Sequence, residues 1–135
     1  MSDTPAQIGE RAQLNVLKKS APGFFLDSRS ELGNILLPRN EIHGPCEVGE
    51  TVDVFIYCDS EDRPIATMKH PKAMPGTFAC LECISVTGIG SFLDWGLAKD
   101  LFIPFREQNS RLDVGKSYVV YVYVDPESDR IVASR

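Results

Sequence analysis

An internal repeat runs through nearly all of this 135-residue chain and constrains its fold more than any other feature. Sliding the sequence by 67 positions aligns identical residues in one order; they are Gly9 with Gly76, Ala12 with Ala79, Leu14 with Leu81, Gly23 with Gly90, Phe25 with Phe92, Leu26 with Leu93 and Asp27 with Asp94. After a one-residue deletion, a shift of 66 continues the match; it aligns Pro38 with Pro104, Glu41 with Glu107, Val48-Gly49 with Val114-Gly115, Tyr57 with Tyr123, Asp59 with Asp125, Glu61 with Glu127 and Ile65 with Ile131. Ordered identities with a single gap indicate two copies of one small domain.

The repeat sets the predicted domain organisation. We predict a first domain over residues 1–69 with a flexible tail at 1–6, a linker at 70–75, and a second domain over 76–135. Length alone favours one domain, and units of about 60 residues lie near the lower limit for an independent hydrophobic core. The repeat outweighs the length because each copy carries the same ordered pattern.

Each copy has the pattern of a small all-β domain, in which short runs rich in Val, Ile, Phe and Tyr alternate with polar residues and turns. Strands are predicted over residues 11–16, 24–27, 35–37, 51–58 and 64–68 in the first copy, and over 78–85, 91–95, 101–104, 117–124 and 130–134 in the second. A connection with room for one helical turn follows the third strand. Five strands and this crossover predict two tandem five-stranded OB-fold barrels.

The charge is unequal between the copies. The chain has a net charge of −5, and residues 1–70 carry 7 basic and 11 acidic side chains (−4) whereas residues 71–135 carry 7 and 8 (−1). Proteins that hold nucleic acid gain affinity by neutralising phosphates with Lys and Arg. If either copy binds a polyanion, the second is therefore better suited.

The cysteines do not make a recognisable metal or redox site. Cys80 and Cys83 have a suitable spacing, but there is no second such pair, and His43 and His70 lie in the other copy. Residues three apart on a strand point to opposite faces, so we predict ordinary reduced strand cysteines, no metal and no cofactor. The first residues do not resemble a secretory leader and no apolar run reaches membrane length, so we expect a cytoplasmic location without a membrane partner.

Each copy contains a glycine, an aromatic, an aliphatic and an aspartate, then a turn, an apolar strand, a Val-Gly pair and a valine-rich strand ending in Asp. This pattern resembles the S1 RNA-binding domain, an OB-fold. The runs at 90–108, 114–125 and 129–134 are similar to the second domain of the bacterial conserved virulence factor B (CvfB, YitL-like) family, and 59–67 is similar to the end of its first. Members of that family are longer. The resemblance implies a bacterial RNA-binding regulatory protein without enzymatic activity.

The resemblance also implies a set of RNA-contacting residues. Phe92 and Phe25 match the aromatic of the S1 pattern, Asp125 and Asp59 match its aspartate, and Arg130 and Arg63 are the nearest basic residues. The histidine of the pattern is replaced by Pro104 and Pro38, and a further aromatic is replaced by Ile89 and Pro22. Each copy thus has an incomplete RNA face, which predicts weak binding.

Strand alternation places aromatic rings on the outside of the second barrel. If Leu93 and Trp95 point inward, Phe92 points outward and is joined on the neighbouring strand by Phe102 and Pro104. Lys99, Arg106 and Arg130 surround this face in the predicted arrangement. Aromatic faces with cations nearby are what single-stranded nucleic acid needs, since bases stack on the rings.

Packing is the alternative use of such aromatics, because exposed apolar patches also mark protein contacts. The outer residues of the two long strands are expected to pack across strands; they are Phe55, Tyr57, Tyr121 and Tyr123. No pair of acidic residues and no nucleophile with a histidine has a catalytic arrangement.

Two hypotheses follow. The first is weak, largely sequence-nonspecific binding of single-stranded RNA, with single-stranded DNA as a related ligand. The second is a non-catalytic protein-interaction or spacer module, with the ribosome or another protein as partner.

Overall fold

The computed structural model describes residues 5–135, and the chain divides into two compact units, Met1–His70 and Pro71–Arg135. Residues 1–4 of the predicted tail lie outside the described residues. Ala6, from the same predicted tail, is buried, and its N–H donates a 2.8 Å hydrogen bond to the carbonyl of Ser28. Between the predicted domains, the N–H of Lys72 donates to the carbonyl of Trp95 at 2.7 Å, so residue 72 is hydrogen-bonded within the second unit.

The first unit is a closed five-stranded barrel with strand order β1-β2-β3-β5-β4. Its strands are β1 Arg11–Lys19, β2 Gly23–Asp27, β3 Asn34–Pro38, β4 Thr51–Cys58 and β5 Pro64–Thr67. All pairings are antiparallel except that of β3 with β5. A 3-10 turn at Arg39–Glu41 follows β3, in the connection predicted to hold one helical turn.

The second unit repeats this barrel with strand order β10-β8-β7-β6-β9. Its strands are β6 Phe78–Val86, β7 Gly90–Asp94, β8 Leu101–Pro104, β9 Ser117–Val124 and β10 Ile131–Ser134, and a 3-10 turn at Phe105–Glu107 follows β8. The strand bounds agree with the predicted ones to within a few residues. The all-β prediction of two five-stranded OB-type barrels is confirmed. Within residues 5–135 there is no helix of the length and apolar character that a membrane crossing needs.

The repeat extends to individual hydrogen bonds. The N–H of Gly9 donates to Ile56 in the first barrel at 2.7 Å, and that of Gly76 donates to Val122 in the second at 2.6 Å. In both barrels the register of the first strand shifts at a matching position, between Val16 and Lys18 and between Cys83 and Ser85. Such a bulge bends the first strand and helps to close the small sheet.

Alternation along the strands fills each barrel with aliphatic side chains. Fully buried residues of the first barrel include Leu14, Leu26, Ile35, Leu37 and Val54, and those of the second include Leu93, Ile103, Val122 and Ala133. Each of the buried Leu, Ile and Val side chains stabilises the fold by about 1.5–3 kcal/mol, and the smaller Ala133 contributes less.

The outer aromatics of β4 are more buried than alternation alone indicates. Phe55 is fully buried, Tyr57 is 3% exposed, and their ring centroids lie 6.2 Å apart. The Tyr57 hydroxyl donates to buried Glu41 at 3.5 Å, and Lys69 pairs with the same carboxylate at 3.2 Å. Burial and then the nearby Glu41 carboxylate raise the pKa of Tyr57. These rings are part of the packed structure of the first unit.

Candidate nucleic-acid interface

An aromatic pair lies on the outer side of strands β7 and β8. Phe92 and Phe102 are directly paired across the two strands, and their ring centroids are 5.1 Å apart with planes tilted by 38°. Both are half-buried, whereas Leu93 and Ile103 beside them are fully buried. The predicted outward position of Phe92 and Phe102 is confirmed, and we call this pair the stacking platform.

The platform depends on the absence of a side chain at Gly90. A Cβ at that position would lie 2.6 Å from Cε1 of Phe102 and 2.5 Å from the carbonyl oxygen of Ile103. Glycine therefore allows the Phe102 ring to lie across β7. Pro104, predicted to share the outer face with Phe102, is instead buried, because β7 and β8 approach closely where it pairs with Gly90.

The predicted cations lie on connections around the barrel. Lys99 is half-buried in the β7–β8 connection, where its carbonyl accepts a 2.7 Å hydrogen bond from Nε1 of buried Trp95. Trp95 is 2% exposed and belongs to the core of the second barrel. Arg106 is exposed on the 3-10 turn after β8, and Arg130 is exposed just before β10, the strand that pairs with β8 beside Phe102.

The carboxylates of Asp125 and Asp59 each accept hydrogen bonds within a hairpin turn. The Asp125 carboxylate accepts hydrogen bonds from the Ser128 hydroxyl at 2.8 Å and the Glu127 N–H at 3.2 Å. These bonds, in that order, hold the pKa of Asp125 below its usual value, and Arg106 and Arg130 lower it further. The two arginines therefore lie near the same carboxylate in the second barrel.

In the matching hairpin of the first barrel, the arginine forms ion pairs with two carboxylates. Asp59 accepts N–H bonds from Glu61 and Arg63 at 2.9 Å each, and the Arg63 guanidinium pairs with Asp59 at 3.0 Å and with Glu61 at 2.7 Å. Partial burial opposes ionisation of Asp59, but the backbone bonds from Arg63 and Glu61 outweigh it and lower the pKa. Two carboxylates thus neutralise the Arg63 charge.

The first barrel has one aromatic where the second has two. Phe25 pairs across the strands with Leu36, so no second ring stands beside it. The ammonium of Lys18, on the adjacent strand β1, lies 5.3 Å from the centroid of the Phe25 ring in a cation–π contact. Of the residues predicted to contact RNA, the second barrel therefore has a pair of neighbouring rings, whereas the first barrel has a single ring with a lysine over it.

The cysteines and histidines considered as metal or catalytic residues lie apart from the aromatic platform in the sequence and on other strands or connections. Cys80 is exposed and Cys83 is buried, which confirms that they point to opposite faces of β6. His43 and His70 line an open cleft of about 570 Å³ on the first barrel together with Arg11 and Asp53, which form a 3.2 Å ion pair. No cluster of three or more metal-ligating side chains occurs among the residues that the structure describes.

Sequence reasoning missed an exposed apolar patch on strands β6 and β9. Phe78 is 73% exposed and Val119 is 62% exposed, and the Phe78 ring lies 5.0 Å from that of Tyr121. Tyr121 in turn lies 6.3 Å from Tyr123, whose hydroxyl donates to Glu107 at 3.2 Å. The cross-strand contact of Tyr121 agrees with the expectation. The sequence signal for the patch is the alternation that puts Phe78 on the same outer face as Tyr121 and Val119.

Comparisons with known proteins agree with this architecture. The S1 domain family model matches residues 8–69, the first barrel. The uncharacterised protein YitL of Bacillus subtilis is 31% identical over 102 residues, which cover 75% of this chain and 34% of YitL. The chain carries S1 domains in tandem. The match to YitL confirms the resemblance to the YitL-like family.

A solved structure shows the same fold over nearly the whole chain. It is the crystal structure of a multidomain protein with nucleic acid binding domains from Streptococcus pneumoniae, with a TM-score of 0.78 and 20% identity. The match covers 93% of this chain and 45% of that one. The S1 tandem thus spans about a third of the length of YitL and less than half of the pneumococcal chain.

Proposed function

We propose that this S1 tandem binds single-stranded RNA weakly and with little sequence preference, and that the second barrel makes the main contact. The observation that carries the proposal is the stacking platform of Phe92 and Phe102 on the strand pair that OB-folds use for oligonucleotides. Base stacking on aromatic rings contributes about 1–3 kcal/mol per base and tolerates every base. The proposed role is binding in the cytoplasm rather than catalysis.

The charges support a weak interaction. The second unit carries 7 basic and 8 acidic side chains, so its cations act locally rather than through a net positive field. Arg106 and Arg130 lie near the Asp125 carboxylate, and so few cations can neutralise only a few phosphates. We therefore expect the affinity to fall with salt on a shallow slope. The nucleic acid binding domains named for the pneumococcal protein are consistent with this function.

A protein-interaction role is the second candidate, and the apolar patch of Phe78 and Val119 favours it. Contiguous exposed apolar residues often mark contacts with other proteins. In that case the platform itself would have no RNA affinity at physiological salt, and substitution of Phe78 would disturb assembly with the partner.

A titration of labelled RNA separates the two functions. Fluorescence anisotropy is measured for a single-stranded oligonucleotide and for its duplex form, at low and at physiological salt, with the unmodified chain and with Arg130→Ala. We expect saturable binding of the single strand, weaker binding of the duplex, and a shallower salt slope for Arg130→Ala. Absence of single-strand binding even at low salt would refute the proposal and leave the protein-interaction role.

A further inference from the structure

Two arginines outside the predicted site lie over aromatic rings at one end of the second barrel. The guanidinium carbon of Arg111 is 3.8 Å from the centroid of Phe105, and that of Arg135 is 4.7 Å from the centroid of Tyr118. Both arginines are exposed. A guanidinium stacked on a ring is held in place by one face while its N–H edge points outward, which suits phosphate recognition.

The connection between β8 and β9 brings the two arginines together. Nη1 of Arg135 donates to Asn109 Oδ1 at 2.8 Å and to the Ser110 hydroxyl at 3.2 Å, and Ser110 immediately precedes Arg111. The N–H of Arg135 also donates to the carbonyl of Glu107 at 2.7 Å. The end of β10 is therefore fixed against the segment that carries Arg111. The described bonds of the Arg135 side chain involve only Nη1, and the guanidinium has donors on its other two nitrogens.

The nearby carboxylates already have partners. Asp113 pairs with Lys116 at 3.3 Å, and Glu107 accepts the Tyr123 hydroxyl at 3.2 Å. The positive charge of the two stacked arginines is thus not directly paired with these acids.

The first barrel shows that this arrangement is not needed for the fold. At the repeat-equivalent positions it has Pro45 for Arg111, Arg39 for Phe105 and Val52 for Tyr118. Arg135 corresponds to Lys69, which pairs with the Glu41 carboxylate at 3.2 Å. The same barrel closes with neither the stacking rings nor the arginine of the connection. The arginine cluster is therefore a property of the second barrel alone, as is the stacking platform.

We propose that Arg111 and Arg135 form a binding site for backbone phosphates of the single-stranded nucleic acid whose bases stack on Phe92 and Phe102. The connection that carries Arg111 begins directly after β8, three residues beyond Phe102, and β10, which leads to Arg135, runs parallel to β8. In the proposed arrangement the nucleic acid runs from the platform toward this end of the barrel. The inference rests on the proposed function and adds a second contact region of different chemistry, with phosphates bound here and bases on the platform.

The test measures the salt dependence of RNA affinity for the full chain. Arg111→Gln, Arg135→Gln and the double variant are compared with the unmodified chain and with Lys116→Gln, a matched loss of one charge from the same connection. For a single strand, each lost phosphate contact lowers the magnitude of the slope of log affinity against log salt by about 0.7. We expect about 0.7 for each single variant, about 1.4 for the double variant, and little change for Lys116→Gln. The fluorescence of Trp95, the one tryptophan of the chain, checks that the second barrel remains folded.

The outcomes distinguish this site from the proposed function. Unchanged slopes in the arginine variants, with RNA binding retained by the unmodified chain, would overturn the phosphate site and leave the function standing. Equal losses in Lys116→Gln would overturn it too, because they would indicate a general charge effect. Inorganic polyphosphate serves as a second ligand: if the variants lose only polyphosphate binding, the site is not for nucleic acid. Absence of RNA binding by the unmodified chain overturns both proposals.

Discussion

On the second barrel, β7 and β8 present two aromatic rings 5.1 Å apart, whereas β2 and β3 of the first barrel present Phe25 beside Leu36. In the second barrel, Arg106 and Arg130 both lie near the hairpin aspartate Asp125; in the first barrel, Arg63 is paired with both Asp59 and Glu61. The two copies have kept one fold and diverged at the surface where an OB-fold binds its ligand. One fold therefore carries two different outer surfaces in this chain, and we propose that they differ in RNA binding.

The close contact between Gly90 and the neighbouring strand β8 supports the aromatic pair of the second barrel, and its loss should have a large effect. Gly90→Ala places a Cβ against the carbonyl of Ile103 and the ring of Phe102, so we expect a loss of about 3 kcal/mol in unfolding free energy, the upper end of the usual range for overpacking. Urea denaturation measures it. Gly88→Ala is the matched control, because its added Cβ would meet no atom within 4 Å. Equal stability of the two variants would contradict the close packing of Phe102 over β7.

The first barrel can be made to resemble the second. Leu36→Phe supplies the missing ring beside Phe25, and Glu61→Gln removes one of the two carboxylates that pair with Arg63. We expect the combined variant to bind single-stranded RNA more tightly by about 1 kcal/mol, the lower end of the contribution of one stacked base. Anisotropy titration against each single variant measures the gain. No gain in a folded protein would mean that the aromatic pair is not what separates the barrels.

Substitution of a hairpin aspartate should lower the free energy of unfolding by a smaller amount. Because the folded-state pKa of Asp59 is lowered, its stabilising effect is present above the unfolded value of about 3.9 and is lost as the pH falls through the folded value. Asp59→Asn should cost about 1 kcal/mol at neutral pH, and the difference from the unmodified chain should shrink below about pH 4. Thermal unfolding at several pH values measures it.

The control for this prediction is Asp125→Asn, at the matching hairpin of the second barrel. The described bonds of the Asp125 carboxylate come from one hydroxyl and one N–H, whereas Asp59 accepts two N–H bonds and an arginine ion pair, so the effect of Asp125→Asn should be smaller. A cost for Asp59→Asn that persists unchanged at low pH would contradict the role of the ionised carboxylate.

The sequence predicted those features that depend on local periodicity. Alternation along β7 and β8 correctly placed Phe92 and Phe102 outside and Leu93 inside, because each residue of a strand takes the opposite face from its neighbour. Alternation does not predict what covers a face. Phe55 and Tyr57 were correctly assigned to one side of β4, but their near-complete burial depends on packing that no period in the sequence encodes.

Contacts made by irregular connections could not be predicted. Arg111 meets Phe105 within a loop, and Arg135 meets Asn109 across 26 positions of sequence, so neither contact follows a helix or strand period. The ion pair of Arg63 with Glu61 also could not be predicted from the sequence, because it depends on the side-chain conformations at a hairpin turn. The repeat itself could have drawn attention to this site, because the copies differ in charge at positions such as Pro45 and Arg111.

The most direct test of the account compares Phe92→Ala with Phe25→Ala, the same substitution at the same position of the two copies. Both are made in the full chain, and RNA affinity is measured by anisotropy at low salt, with Trp95 fluorescence and thermal unfolding as checks on folding. We expect Phe92→Ala to weaken the free energy of RNA binding by about 1–3 kcal/mol and Phe25→Ala to change it little. Equal losses, or a larger loss for Phe25→Ala, would contradict the claim that the second barrel is the RNA-binding one.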